Sequence, residues 1–208
     1  FNFFTHFTAS QGLNLWPKKC PIFNTQSCAV LPLNTFSPFA AAFVPFVNKG
    51  IYHEPITYTK VLNSDGTVLL EKKSDYRTVY DEATAWIMTD MLKEVTRPGG
   101  TAPTCIIGNG KDIPTAGKTG TTNDNIDKWF VGYTPYYVTA VWYGYDNNSG
   151  PIEIAYGEER TKAVQIWTGI MNKIHEELEP RDFEKPEGIV ERDICIYSGK
   201  IATELCKN

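Results

Sequence analysis

The chain has 208 residues, 42% hydrophobic and 21% charged, which is the composition of a globular protein rather than a disordered or fibrous one. Its net charge of −4 provides no basic excess. A nucleic-acid partner and attachment to anionic lipid through a polybasic patch are therefore disfavoured.

The longest uncharged stretch, Cys20 to Asn48, is long enough to span a bilayer. Pro21, Pro32, Pro38 and Pro45 interrupt it, and Asn24, Gln26, Ser27 and Asn34 make it polar, so it reads as loop plus a short buried helix. The sequence opens at Phe1 with no charged leader and is expected to be a piece of something longer. Residues 1–36 sustain neither a helical nor a strand period and are left unassigned.

Ser37-Pro38 then predicts a capped helix from Phe39 to Asn48, kinked by Pro45 and closed by Gly50 in a left-handed conformation. Ile56 to Leu62 and Val68 to Glu71 flank Asn63-Ser64-Asp65-Gly66, a hairpin signal. Asp81 caps a second helix. Ala83, Ile87, Met88, Met91, Leu92 and Val95 recur at helical spacing, and Arg97-Pro98-Gly99-Gly100 stops it. A loop extends from there to Ile113. Two β-rich runs, Lys128 to Tyr133 and Tyr137 to Tyr145, are joined by Thr134-Pro135-Tyr136. A third helix, about Glu159 to Leu178, turns Ala163, Ile166, Trp167, Ile170, Met171, Ile174 and Leu178 to one face. Residues 179–208 read as a surface tail.

Five cysteines leave at least one unpaired within the chain. Cys20, Cys28 and Cys105 read as small buried hydrophobes. Cys195 and Cys206, in the polar tail, are either a disulfide in an oxidising compartment or two free thiols. His6, His53 and His175 are scattered, so no metal site is expected, and no cofactor motif is found.

The chemistry concentrates in Ala116-Gly117-Lys118-Thr119-Gly120-Thr121-Thr122. A phosphate-binding loop ending in Gly-Lys-Thr is rejected. Its first glycine is replaced by Asp112, and a strand hairpin rather than a helix comes after the lysine. A Lys-Thr-Gly edge strand fits better. It offers backbone groups to an extended peptide, a side-chain-free approach at Gly120, a cation at Lys118 for a carboxylate, and hydroxyl donors.

Context gives that tripeptide a family. Asp127-Lys128-Trp129-Phe130-Val131-Gly132-Tyr133-Thr134-Pro135 closely resembles the segment C-terminal to the Lys-Thr-Gly strand in class A penicillin-binding proteins. Ser37-Pro38 through Ala40-Ala41-Ala42-Phe43 to Asn48-Lys49-Gly50-Ile51-Tyr52 also resembles class A members. The tail, from Lys185-Pro186-Glu187-Gly188 to Cys206, is similar to their C-terminal end. The resemblance implies an α/β (α+β) three-layer sandwich, with helices on both faces of an antiparallel sheet. The function implied is a serine D,D-transpeptidase that cross-links D-Ala-D-Ala stem peptides of peptidoglycan and is acylated by β-lactams. By position, Lys118, Thr119, Gly120 and Thr121 would bind substrate, and the N–H of Thr121 would form half of the oxyanion hole. The aromatic residues Trp129, Phe130, Tyr133, Trp142 and Tyr143 are assigned to the sheet core, and Asp124 and Asp127 to loop or cap roles.

The family nucleophile sits in Ser-x-x-Lys. Three positions after Ser10, Ser27, Ser37, Ser64, Ser74, Ser149 and Ser198 stand Leu13, Val30, Ala40, Thr67, Arg77, Ile152 and Ile201. A Ser-x-Asn is absent as well. Residues 37–178 are therefore expected to form the C-terminal part of a transpeptidase domain, inactive alone, with three of the five sheet strands. Its partner would be the upstream half of the same protein, which by resemblance carries a glycosyltransferase domain and the membrane anchor. The expected location is the extracytoplasmic face of a bacterial plasma membrane, an environment compatible with a Cys195–Cys206 bridge. The competing reading is a non-catalytic module that binds cell-wall peptide.

Overall fold

The structure, a computed structural model, describes residues 33–108, 113–144 and 162–204. Its elements in chain order are α1 (Leu33–Val47), β1 (Ile51–His53), β2 (Lys60–Leu62), β3 (Val68–Glu71), β4 (Tyr76–Thr78), α2 (Glu82–Lys93), β5 (Ala116–Thr121), β6 (Asp127–Tyr133), β7 (Val138–Gly144) and α3 (Lys162–Ile174). The expected α/β three-layer arrangement is present. An antiparallel sheet of order β5-β6-β7 lies between α1 and α2 on one side and α3 on the other.

Strand alternation makes the two cores. Phe130 of β6 and Val141 of β7 face Ala163, Val164, Trp167 and Met171 of α3. Val131, Tyr133 and Val138 face Val44 of α1 and Leu92 of α2. Phe130 meets Trp167 edge-on at 5.2 Å, and the Trp167 indole N–H donates to the Thr139 carbonyl at 3.0 Å. Gly132 makes this approach possible. A Cβ there would stand 2.7 Å from the Trp167 ring.

Helix α1 begins at Leu33, so Ser37 is not its cap and Pro38 lies inside it. The missing proline N–H forfeits one bond near an end where donors are already unpaired. At the other end Lys49 takes the left-handed conformation (φ 52°) and Gly50 comes next (φ 83°), its N–H bonding back to the Pro45 carbonyl at 2.8 Å. The helix runs through Pro45 to Val47.

Asp81 caps α2 as expected. One carboxylate oxygen accepts from the Thr84 N–H at 2.7 Å and the other from its hydroxyl at 2.8 Å, which holds the Asp81 pKa below the usual carboxylate value. The buried face differs from the one expected. Ala85, Thr89 and Leu92 are buried, whereas Ile87, Met88 and Met91 are exposed. The reason is polar. The Thr89 hydroxyl donates to the Phe46 carbonyl at 2.9 Å, one of the acceptors left open at the end of α1, and accepts from the Tyr133 hydroxyl at 3.2 Å. That network draws the threonine inward, and the apolar stripe is turned outward.

The hairpin forms as β2 and β3, its turn held by Asp65 accepting from the Thr67 N–H and hydroxyl. Part of the tail is packed rather than loose. Phe183 lies 5.7 Å from Tyr133 edge-on, Lys185 sits over Trp86, and Lys49 pairs with Glu184 at 3.1 Å. Cys195 starts a small turn in which its N–H bonds the Lys200 carbonyl, while Cys206 lies outside the described residues. No helix among the described residues is long and apolar enough to cross a membrane.

Candidate functional site

Strand β5 emerges from the core as it runs. Ala116 and Gly117 are buried, and Lys118 is exposed. Antiparallel register sets Lys118 opposite Val131 and Gly120 opposite Trp129. Among the described residues β5 pairs only with β6, so its outer edge is open. A groove of about 250 Å³ runs between Phe39 and Phe43 of α1 and the stretch Lys118 to Thr122, with Trp129 and Val131 behind. Lys118 thus lies at this groove.

The direction of the backbone groups is set by the pairing. The Thr122 N–H is bonded to the Asp127 carbonyl at 3.2 Å. Successive residues alternate, so the Thr121 N–H and Thr119 C=O point off the open edge. Consistent with this, the Thr119 carbonyl accepts the Lys118 ammonium at 2.9 Å. The Thr119 hydroxyl lies 2.9 Å from that of Thr101.

The turn after β5 is stapled. Thr122 donates its hydroxyl to Asp127 at 2.9 Å and accepts the Asp127 N–H at 2.9 Å. The other oxygen of Asp127 takes the Trp142 indole N–H at 2.8 Å. Asp127, expected in a loop or cap, is instead the first residue of β6, and the Asp124 side chain lies outside the described residues. Lys128, 4% exposed, donates to the Asn125 side chain at 2.7 Å beneath the same turn. The lysine-bearing segment leads into a 3₁₀ turn (Asn123–Asn125) and strand β6, which removes the phosphate-loop reading.

The geometry brings Lys118, Thr119, Gly120 and Thr121 together on one groove and leaves Cys195 in the tail. Phe130 and Tyr133 are core as expected, and Trp129, Trp142 and Tyr143 are half-buried. Sequence reading missed Thr101 and Lys128. Thr101 stands behind a helix-stop signal, and Lys128 counts in the sequence only as the first residue of a strand.

A protein-family profile described as "Penicillin binding protein transpeptidase domain" matches residues 34–172. The chain belongs to this transpeptidase family. Penicillin-binding protein 1A of Clostridium tetani is 40% identical over 172 residues, covering 80% of this chain and 21% of the relative. Penicillin-binding protein 1A/1B of Bacillus subtilis is 34% identical over 170 residues, covering 74% and 18%. The chain therefore spans about a fifth of the length of the curated relatives it matches. Among solved structures, Penicillin-Binding Protein 1A from Haemophilus influenzae superposes with a TM-score of 0.65 at 20% identity, covering 83% of this chain and 30% of that one, a likeness of fold. PonA1 from Mycobacterium tuberculosis superposes with a TM-score of 0.57 at 27% identity, covering 72% and 41%.

Proposed function

We propose that the chain supplies the substrate-binding strand of a class A peptidoglycan D,D-transpeptidase, the serine acyl-transferase that cross-links stem peptides and is acylated by β-lactams. The observation that carries this reading is the exposed Lys118 on a groove beside a strand edge that no other described strand pairs. A stem peptide ending in D-Ala-D-Ala lies extended along β5, and its C-terminal carboxylate meets the Lys118 ammonium and the hydroxyls of Thr119 and Thr121. Gly120 keeps the strand surface clear for the peptide backbone.

The reaction passes through a tetrahedral intermediate, whose oxyanion needs fixed donors. The outward N–H of Thr121 is one of them. The nucleophilic serine and its activating lysine come from the upstream half of the protein, because no Ser-x-x-Lys occurs in this sequence. The serine oxygen bonds to the penultimate D-Ala carbonyl, the terminal D-Ala leaves with the proton, and an acceptor amine then displaces the serine. By the same reading the parent protein is anchored in a bacterial membrane, with this domain on its extracytoplasmic face.

A fluorescent penicillin tests the assignment. The chain alone shows no covalent band. Joined to an upstream half that carries Ser-x-x-Lys it is labelled, and Lys118→Gln slows that labelling. Covalent labelling of the chain alone, or labelling indifferent to Lys118→Gln, overturns it. Peptide binding with no acylation even in the completed domain would favour the binding-module alternative.

A further inference from the structure

The loop between α2 and β5 carries a hydroxyl whose placement the fold controls closely. Gly100 donates its N–H to the Arg97 carbonyl at 2.9 Å, and Ala102 donates to the Val95 carbonyl at 2.8 Å, so both flanks of Thr101 are fixed to the turn that follows α2. The turn folds back so tightly that a Cβ on Gly100 would stand 2.3 Å from the Glu94 carbonyl oxygen. Thr96 ties the same loop to the sheet, its hydroxyl donating to the Thr115 carbonyl at 2.8 Å. Ala102 is fully buried, whereas Thr101 is exposed. Its side chain therefore contributes little packing. Its hydrogen-bond partner is the Thr119 hydroxyl, at 2.9 Å.

Two hydroxyls at this distance share one proton between them and leave one free. Thr119 lines the groove and Thr101 does not. We propose that Thr101 is a positioning residue that donates its proton to the Thr119 oxygen, so that the Thr119 proton is turned outward to a substrate carboxylate. A chain running Thr101 to Thr119 to carboxylate polarises in one direction, and each bond strengthens the next. Without Thr101 the Thr119 hydroxyl rotates freely and loses orientation when the carboxylate arrives. The inference rests on the proposed role of β5.

The test is an NMR titration of the chain joined to the upstream half, its Ser-x-x-Lys serine replaced by alanine, with diacetyl-L-Lys-D-Ala-D-Ala and with the same peptide bearing a C-terminal amide. Thr101→Val weakens binding of the acid about three- to tenfold, the worth of one net hydrogen bond. It leaves the amide unchanged, Thr101→Ser restores the acid, and thermal unfolding of Thr101→Val matches wild type. If Thr119→Val weakens the acid but Thr101→Val does not, the inference is overturned and the β5 reading stands. Equal losses for acid and amide, or no rescue by serine, overturn the inference by making Thr101 merely structural. If neither Thr119→Val nor Lys118→Gln changes the acid, or wild type binds neither peptide, the β5 reading fails and the inference with it.

Discussion

Asp127 takes the indole N–H of Trp142 at 2.8 Å with one carboxylate oxygen while the other accepts the Thr122 hydroxyl, so one side chain ties the ends of all three sheet strands. Asp127→Ala leaves a half-buried indole N–H without its acceptor and should cost about 1–3 kcal/mol in urea denaturation. Asp127→Asn keeps an acceptor for the indole and should cost less. Equal stability of Asp127→Ala and wild type would show that the staple carries no weight.

His175 is fully buried, with its two ring nitrogens 2.9 Å from the Thr134 hydroxyl and 2.7 Å from the Met171 carbonyl. The carbonyl can only accept, so Nδ1 donates to it, and Nε2 accepts from Thr134. Burial lowers the His175 pKa. The folded state therefore disfavours the protonated ring, and the unfolded chain takes up the proton first, near pH 6.5. Stability is full above that pH and falls as the pH drops towards the depressed folded value. Urea midpoints compared at pH 7.5 and pH 5 should fall more for wild type than for His175→Gln; equal falls would remove His175 as the cause.

Three glycines should respond differently to alanine. At Gly132 the new methyl meets the Phe130 ring at 2.6 Å and the Trp167 ring at 2.7 Å, a core overpacking that costs about 1–3 kcal/mol or more. Gly66 has φ 84° and open space, so only the backbone strain of about 1 kcal/mol is felt. Gly169 sits in α3 with nothing within 4 Å, and alanine there should stabilise by up to about 1 kcal/mol. Calorimetric melting temperatures in the order Gly132→Ala, Gly66→Ala, wild type, Gly169→Ala check the packing; any other order contradicts it.

Much apolar surface is uncovered. Ile87, Met88 and Met91 form an outward stripe on α2, and Leu62, Val68, Leu69 and Leu70 stand exposed on the β2–β3 hairpin. Among the described residues β7 pairs only with β6, leaving a long aromatic edge. The isolated chain should self-associate, and Met91→Glu should lower its light scattering. A chain that stays monomeric in isolation, with light scattering unchanged in Met91→Glu, would refute this.

The parts legible in the sequence are those fixed by local chemistry. The Asp81 cap, the Asn63–Gly66 turn, the aromatic β6–β7 hairpin and the Trp167 face of α3 each announce themselves within a few residues. The start of α1 is misread because Ser37-Pro38 imitates a cap, while the helix extends four residues further back. The buried face of α2 is missed because a threonine network, Phe46 to Thr89 to Tyr133, outweighs apolar periodicity, and its partners lie over forty residues away. The groove residues of β5 are readable from the motif and its flanks. Thr101 is not, because its meaning arises only when the loop folds back on β5.

The central claim is that the Lys118 charge holds a terminal carboxylate. Affinity of the chain joined to the upstream half, its nucleophilic serine replaced by alanine, for diacetyl-L-Lys-D-Ala-D-Ala, measured for wild type, Lys118→Arg and Lys118→Gln, tests it most directly. Loss of a charge-assisted contact predicts about tenfold or greater weakening for Lys118→Gln, with Lys118→Arg between the two. Equal affinity of wild type and Lys118→Gln would contradict the account.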